Sequence, residues 1–389
     1  MKITDIKALP LRGATQTDMA DNFGETTLVV VTTDDGLVGV GEGNVSPLAV
    51  QAVVEQPSYW IWSRGVTEPL IGRELGDPAA LWDELYAGNW WTARNGIGHV
   101  ALAAVDMALW DLAGKAAGKP VRELLGAQRT TPLVPYITMY RKVEDHAAAL
   151  DAARAFVDDI KAQGFRAAKI EVSHDQVPDA DQIAPLVRAV REQAGPDFTL
   201  LCDACYRWND ADEAIAVLKQ LEEYDLMLFE TALLPEDLAG YRKLADATTI
   251  PLAGCEIVAS AAELEHLMDF GGVQYVQPCV ARVGVTAMDR LTRAAAARGR
   301  EMIPYGWVAT TLSMAATLHV AAAHENVPIV EYVPPSFYPY AELRKDVSGP
   351  EPVVVDGLFE LPGGPGFGIE LDHEAVERYA HDHAAAVGG

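Results

Sequence analysis

Three acids stand at the ends of three short apolar runs: Asp203 closes FTLLCD, Glu230 closes LMLFE and Glu256 closes IPLAGCE. A buried strand does not ordinarily end in a carboxylate among small residues unless something binds there, because an unpaired buried charge is costly. The runs recur at roughly 26 residues, a spacing suited to successive strand–helix units of a parallel barrel, so the three carboxylates are expected on one rim. Three oxygen donors on one rim suit a hard divalent cation such as Mg²⁺. The first run also contains Cys202-Asp203-Ala204-Cys205, formally a C-x-x-C. Strand alternation turns Cys202 away from Asp203, and no helix is expected to start at Cys202 and lower a thiol pKa. The four cysteines (Cys202, Cys205, Cys255 and Cys279) are therefore read as packing residues of a reducing compartment, not as a redox pair or zinc site.

Acids at strand ends need a framework that brings those ends together. After Arg129, eight short apolar runs, near 133–139, 167–172, 198–203, 226–231, 250–256, 273–278, 301–305 and 328–332, alternate with amphipathic helices such as those near 143–163 and 181–195. Regular β-then-α alternation implies a parallel sheet with right-handed crossovers, and eight units imply a closed barrel. Before it, residues 1–42 alternate as antiparallel strands, with Asp34-Asp35-Gly36 as the turn of a hairpin. HVALAAVDMALWDLAGKAAGKPV then carries helical periodicity that ends in Gly and Pro. The expected fold is α/β, a modified TIM (β/α) barrel under an N-terminal α+β capping domain that the C-terminal tail completes. Its expected parts are residues 1–128 (cap), 129–340 (barrel) and 341–389 (a segment packing back on the cap).

A formal charge of −26 argues against nucleic acid or an anionic membrane as a partner, while leaving a small anionic substrate open if a bound dication reverses the sign locally. Half the chain is apolar and 22% charged, as in ordinary globular proteins. The first residues, MKITDIKALP, lack the apolar run of a signal peptide, and no stretch of about 18 apolar residues is read as crossing a membrane. The cytoplasm is the expected address. The polar segment from Thr15 to Glu25 reads either as a connector or as a lid, and GNWWTARNG, with Trp90, Trp91 and Arg94, as packing at a domain seam or as a substrate contact.

The helix from His99 to Gly126, GFRAAKIE, the three acids, VQPCVARVGV and MIPYGW together resemble the enolase superfamily, in its mandelate racemase and acid-sugar dehydratase branch. The likeness spans essentially the whole chain. It implies a substrate carboxylate bound by Mg²⁺ on Asp203, Glu230 and Glu256, and a base that removes the adjacent α-proton. The resemblance makes Lys169 that base, at the position of the first lysine of a K-x-K motif; a nearby dication and partial burial are expected to lower its pKa. Glu331 matches a glutamate that hydrogen-bonds the substrate carboxylate. No lysine occurs between Lys243 and Lys345, which disfavours the muconate-cycloisomerase-like branch.

The proton-transfer half departs from the family pattern. The second motif position is Glu171, read as a carboxylate base or as a residue orienting Lys169 or Arg141. Cys279 and Tyr305 stand where many relatives carry an Asp–His dyad, and Cys205 stands where an Asn often follows the first metal ligand. Tyr305, or Tyr140 at the end of the first barrel strand, is the candidate acid on the opposite face of the substrate. Asp18 and the loop around it, with Trp90 and Arg94, are the candidate specificity residues. The leading reading is a Mg²⁺-dependent dehydratase of a sugar acid or other small hydroxy acid. An epimerase using the same enediolate chemistry and a non-catalytic descendant are the alternatives, and a homo-oligomer is expected in each case.

Overall fold

The computed structural model describes residues 1–13, 24–127, 129, 131–139, 146–337 and 342–387. Asp18, Tyr140 and Arg141 lie outside the described residues.

The cap begins with a three-stranded antiparallel sheet, β1 (Ile3–Arg12), β2 (Glu25–Thr33) and β3 (Val38–Gly43), in that order. The β2–β3 turn falls at Asp34-Asp35-Gly36, where Gly36 has φ +84° and donates its N–H to Thr33 O at 3.0 Å. Helices α1 (Pro47–Glu55), α2 (Pro78–Gly88) and α3 (Gly96–Ala117) follow. By length and composition alone α3 is apolar enough to cross a membrane. It is instead the central helix of the cap, and 83% of its most apolar window is buried inside the protein.

The glycines of β3 explain how α3 packs. A Cβ on Gly41 would fall 1.9 Å from Ala104 O, and one on Gly39 2.2 Å from Ala108 O, so the helix backbone rests directly on the strand. The polar residues of α3 are satisfied by distant parts of the chain. Asp106 accepts from Thr286 N (2.8 Å) and Thr286 Oγ1 (2.6 Å), and Asp111 accepts from Val40 N, Lys115 Nζ and Phe367 N. The Phe367 bond ties the tail to the cap, and the C-terminal helix His373–Val387 packs against β1.

All eight expected barrel strands are present: β4 (Val134–Met139), β5 (Ala167–Glu171), β6 (Thr199–Asp203), β7 (Leu226–Glu230), β8 (Leu252–Gly254), β9 (Tyr275–Val276), β10 (Glu301–Met302) and β11 (Ile329–Glu331). They pair in parallel in the order β10-β9-β8-β7-β6-β5-β4-β11. Bonds from Met302 N to Asn326 O (3.0 Å) and from Glu331 N to Pro304 O (3.4 Å) bring the two ends of the sheet together. Each strand sends one residue into a shared inner layer, Tyr136, Ala167, Leu201, Leu228, Ala253, Tyr275, Ile303 and Ile329, which is a packed core and not a pore. Glu42, at the end of β3, joins cap to barrel by accepting from Thr26 Oγ1, Thr310 Oγ1 and Ser313 Oγ.

Candidate active site

Side chains along a strand alternate, so the residue two places after each inner-layer residue also points inward, one layer nearer the C-terminal mouth. That rule gives Thr138, Lys169, Asp203, Glu230, Gln277, Tyr305 and Glu331 on seven of the strands. On β8 the alternation slips. Cys255 belongs to the outer core, where its Sγ lies 3.3 Å from the Tyr241 hydroxyl, and Glu256 follows it. Asp203, Glu230, Glu331 and Lys169 are all buried.

The centre of the site is the Lys169 ammonium. Its Nζ lies 2.9 Å from Glu230 Oε1, 3.1 Å from Asp203 Oδ2 and 3.1 Å from Glu331 Oε1, and 5.7 Å from the centre of the Tyr136 ring below it. Glu331 is fixed in turn by the Thr138 hydroxyl and by Gly306 N (2.9 Å). Asp203 Oδ1 accepts from Thr231 Oγ1 (2.5 Å) and Cys205 N (2.9 Å). These two donors belong to strand exits in an uncommon conformation: Cys205, Tyr206 and Thr231 have φ of 48°, 58° and 47°. A β-branched residue with positive φ is a genuine outlier, and such backbone concentrates at functional sites.

The electrostatics follow from one ammonium facing several buried carboxylates. Burial alone would lower the Lys169 pKa, but the charges of Glu230 and Glu331 outweigh it and raise it well above the ordinary lysine value. The neutral amine expected from the sequence is therefore not the form this arrangement favours; the reason is the number of acids in contact with Nζ. Burial and the neighbouring Asp203 charge push Glu230 well up and Glu256 to about 7. Asp203 is buried too, yet Lys169 and the Thr231 hydroxyl hold it below its usual value.

Glu230 Oε2 and Glu256 Oε2 are buried with no hydrogen-bond partner. Orphaned carboxylate oxygens in a region short of positive charge are what a hard cation with oxygen ligands would satisfy. Asp203, Glu230 and Glu256 are the residues that could hold one. Among the described residues no three His, Cys, Asp or Glu side chains stand ready to hold a metal ion as arranged, because the Lys169 ammonium takes an oxygen of both Asp203 and Glu230.

Glu171 is buried at the end of β5, in register with Asp203. Tyr305 is half-buried, with the Arg282 guanidinium 5.8 Å from its ring centre. Arg282 also donates to Glu256 O at 2.8 Å. The sequence reading missed Arg282, Gln277 and Thr138. Gln277 is fully buried and both its amide atoms are without partners. Counting two residues on from each inner-layer position finds Gln277 and Thr138, whereas Arg282 lies in the four-residue helix Val280–Val283 after β9, too short for a periodicity to reveal it. Trp90 and Arg94 are exposed on the cap, and no hydrogen bond or ring contact among the described residues links them to the barrel acids. The four cysteines are free; burial pushes the Cys202, Cys255 and Cys279 thiols up, against a redox role.

Residues 5–126 match the mandelate racemase / muconate lactonizing enzyme N-terminal domain, and residues 151–376 match the enolase C-terminal domain-like family. The L-rhamnonate dehydratase of Saccharopolyspora erythraea is 28% identical over 92% of this chain and 86% of its own length. The D-galactarolactone cycloisomerase of Agrobacterium fabrum is 29% identical over 90% of each chain. The crystal structure of the 3,6-anhydro-D-galactonate cycloisomerase from Zobellia galactanivorans superposes with a TM-score of 0.82 at 27% identity, over 97% of this chain and 99% of that one.

Proposed function

Because the chain belongs to the enolase superfamily, in its mandelate racemase branch, we propose that it is a Mg²⁺-dependent hydro-lyase acting on a sugar acid or other small hydroxy acid in the cytoplasm. The observation that carries the reading is the single ammonium of Lys169 set among buried acids, two of which, Glu230 and Glu256, keep an unpartnered oxygen. The dehydratases among the relatives support the reaction class. Asp203, Glu230 and Glu256 would hold the metal, which supplies fixed positive charge to the enediolate as it forms.

The chain's own residues do the rest. Lys169 faces the substrate's α-carbon; with Asp203 and Glu230 engaged elsewhere, Glu331 is the one acid left on its ammonium, and burial weighs more heavily toward the neutral amine that takes the α-proton. Glu331, held by Thr138 and Gly306, fixes the position of Nζ and of the substrate carboxylate. Tyr305 donates its hydroxyl proton to the β-hydroxyl as the carbon–oxygen bond breaks, and water leaves. The resulting enol ketonises to a 2-keto-3-deoxy acid. Gln277, with a free donor and a free acceptor, is placed to read a substrate hydroxyl, which is both. Glu171, two places after Lys169 and so on the same face of β5, is the strand's only carboxylate and stands beside the reacting centre.

A panel of sugar acids incubated with Mg²⁺ is expected to include at least one that yields a 2-keto-3-deoxy acid. Chelation is expected to abolish the product, and Asp203→Asn to abolish both the product and the thermal stabilisation that Mg²⁺ gives the wild type. A wild type whose melting temperature is indifferent to Mg²⁺ would sink the metal assignment. A second reading, α-epimerisation, is favoured by Lys169 and Tyr305 standing three strand positions apart around the barrel mouth, on β5 and just after β10. Exchange of the α-proton for deuterium without loss of water would select it.

A further inference from the structure

The proposed elimination leaves Tyr305 without its proton, and Arg282 is the cation beside it. Arg282 is carried by the helix Val280–Val283 that follows β9. β9 stands four places along the sheet from β5, so Arg282 lies on the far side of the barrel mouth from Lys169. The helix is clamped. Arg282 N and Val283 N donate to Cys279 O at 2.9 and 3.0 Å, and Asn44 N of the cap donates to Ala281 O at 3.3 Å. Gly284, with φ +84°, lets the chain close on α3, where a Cβ would fall 2.8 Å from Asp106 Oδ2. The side chain thus projects from a fixed base. Its guanidinium carbon lies over the Tyr305 ring, 5.8 Å from the ring centre. The Tyr305 segment is joined to the same stretch of chain by Tyr305 N donating to Pro278 O at 3.1 Å.

Nearby arginines hand their charge to an acid: Arg290 pairs with Asp83, Arg293 with Asp289, and Arg298 with Asp269 and Glu265. Arg282 does not. Among the described residues its side chain donates to two peptide carbonyls, Glu256 O (2.8 Å) and Asn44 O (3.5 Å), and forms no ion pair. A carbonyl orients a guanidinium without cancelling its charge. Burial alone would lower the Arg282 pKa, but Cys279, Tyr305 and Glu256 raise it above the ordinary arginine value, so the guanidinium stays charged.

That charge bears on what Tyr305 becomes. When the β-hydroxyl leaves, its oxygen takes the electron pair of the breaking carbon–oxygen bond and the phenolic proton, and departs as water. The pair left by the α-proton forms the new carbon–carbon double bond. Tyr305 remains a phenolate until solvent returns its proton. This anion forms in a mouth that already holds Asp203, Glu230 and Glu331, where like charges oppose it. A fixed guanidinium over the ring offsets the charge as it develops, with no reorganisation at that moment.

Building on the hydro-lyase reading with Tyr305 as its acid, we propose that Arg282 is a positioning residue for the elimination step: it holds the Tyr305 ring in place and stabilises the phenolate that proton donation leaves. The competing role is a brace between cap and barrel, which needs the two carbonyls and not Tyr305.

The test separates proton exchange from water loss, in D₂O at saturating Mg²⁺ with a sugar acid that the wild type dehydrates. Arg282→Met is expected to lower kcat for dehydration roughly 10–100-fold, part of the 10²–10⁴-fold that a positioned acid contributes, with KM little changed. Deuterium at the α-carbon of recovered substrate is expected to rise, because Lys169 still exchanges the proton while the leaving group waits. Arg282→Lys, which keeps the charge, is expected to recover most of the rate. In a Tyr305→Phe background Arg282→Met is expected to cost at most about threefold more, since residues that act as one unit are not additive. Equal losses of exchange and dehydration, or full additivity with Tyr305→Phe, would overturn the proposal in favour of the brace. A readout without substrate is the ¹⁹F resonance of 3-fluorotyrosine at this position, assigned by its loss in Tyr305→Phe. It is expected to move in Arg282→Met and to return in Arg282→Lys, and an unmoved resonance overturns the contact itself. If no sugar acid is dehydrated, the hydro-lyase reading falls and takes the elimination role with it, while the fluorine resonance still decides whether Arg282 holds the ring.

Discussion

At the scale of single residues, the site is decided by which groups surround Lys169. Its ammonium satisfies an oxygen on each of Asp203, Glu230 and Glu331, so it is both a structural counter-ion and the candidate proton carrier. Removing one partner of a buried ion cluster leaves uncompensated charge and costs about 3–5 kcal/mol. Lys169→Met is accordingly expected to destabilise the metal-free protein by about that amount in chemical denaturation. It is also expected to slow α-proton exchange by roughly 10²–10⁴-fold, the usual contribution of a positioned base. Nuclear magnetic resonance of substrate in D₂O measures the second effect. A folded Lys169→Met protein that exchanges at the wild-type rate removes Lys169 from the chemistry while leaving its structural role intact. The presence of Lys169 was readable from its position in AAKIE; its protonation was not, because the three acids that fix it come from β6, β7 and β11.

At the scale of elements, alternation does most of the work. The eight inner-layer residues and the functional residues two places on follow from strand periodicity alone. Glu256 does not, because the alternation slips at Cys255, and no property of the residue types in GCE announces a slip. The packing of α3 on β3 is another case where spacing was legible and contact was not. VGVGEG reads as a strand, but only the structure explains why its alternate positions carry no side chain. Gly41→Ala would place a methyl carbon 1.9 Å from Ala104 O, and backbone on a buried helix cannot yield as a flexible side chain would. The substitution is expected to cost about 3 kcal/mol, the upper part of the overpacking range, and equilibrium denaturation should show it as a lower midpoint. Wild-type stability in Gly41→Ala would mean that α3 does not rest on the strand in this way.

At the scale of the molecule, buried groups far from the site also make stability depend on pH. His319 is buried between the barrel helix Thr311–Ala322 and the tail, where its Nδ1 accepts from Arg122 N (3.2 Å). Burial, and then the nearby Arg122 charge, lower its pKa to about 4 from 6.5. The folded state thus keeps His319 neutral while the unfolded chain binds a proton below pH 6.5. Its contribution is full above 6.5 and is lost as pH falls toward 4. Asp106 acts in the opposite sense. Burial raises it to about 7, so the folded state binds its proton first and gains stability as pH falls from 7 toward the ordinary carboxylate range. The wild type therefore masks the histidine effect, and a comparison isolates it. His319→Gln keeps an acceptor for Arg122 N and cannot titrate. Between pH 7 and pH 5 it is expected to gain about 2 kcal/mol relative to the wild type, at about 1.4 kcal/mol per pK unit. Parallel stability curves for the two proteins would show that His319 does not carry this term.

By itself the sequence determined the period: strand after helix at a regular spacing, apolar residues facing inward, and an acid at each of three strand exits. These are local properties, set by backbone geometry and side-chain type within one run of residues. It also determined the departures from the family pattern at Glu171, Cys279 and Tyr305, since those are identities at counted positions. Only the tertiary structure decided how the charges share the site. The distance from Lys169 to each acid, the loss of solvent around them and the slip that carries Glu256 out of register all depend on residues far apart in the chain. Electrostatic energy and burial are properties of that arrangement and not of any one segment.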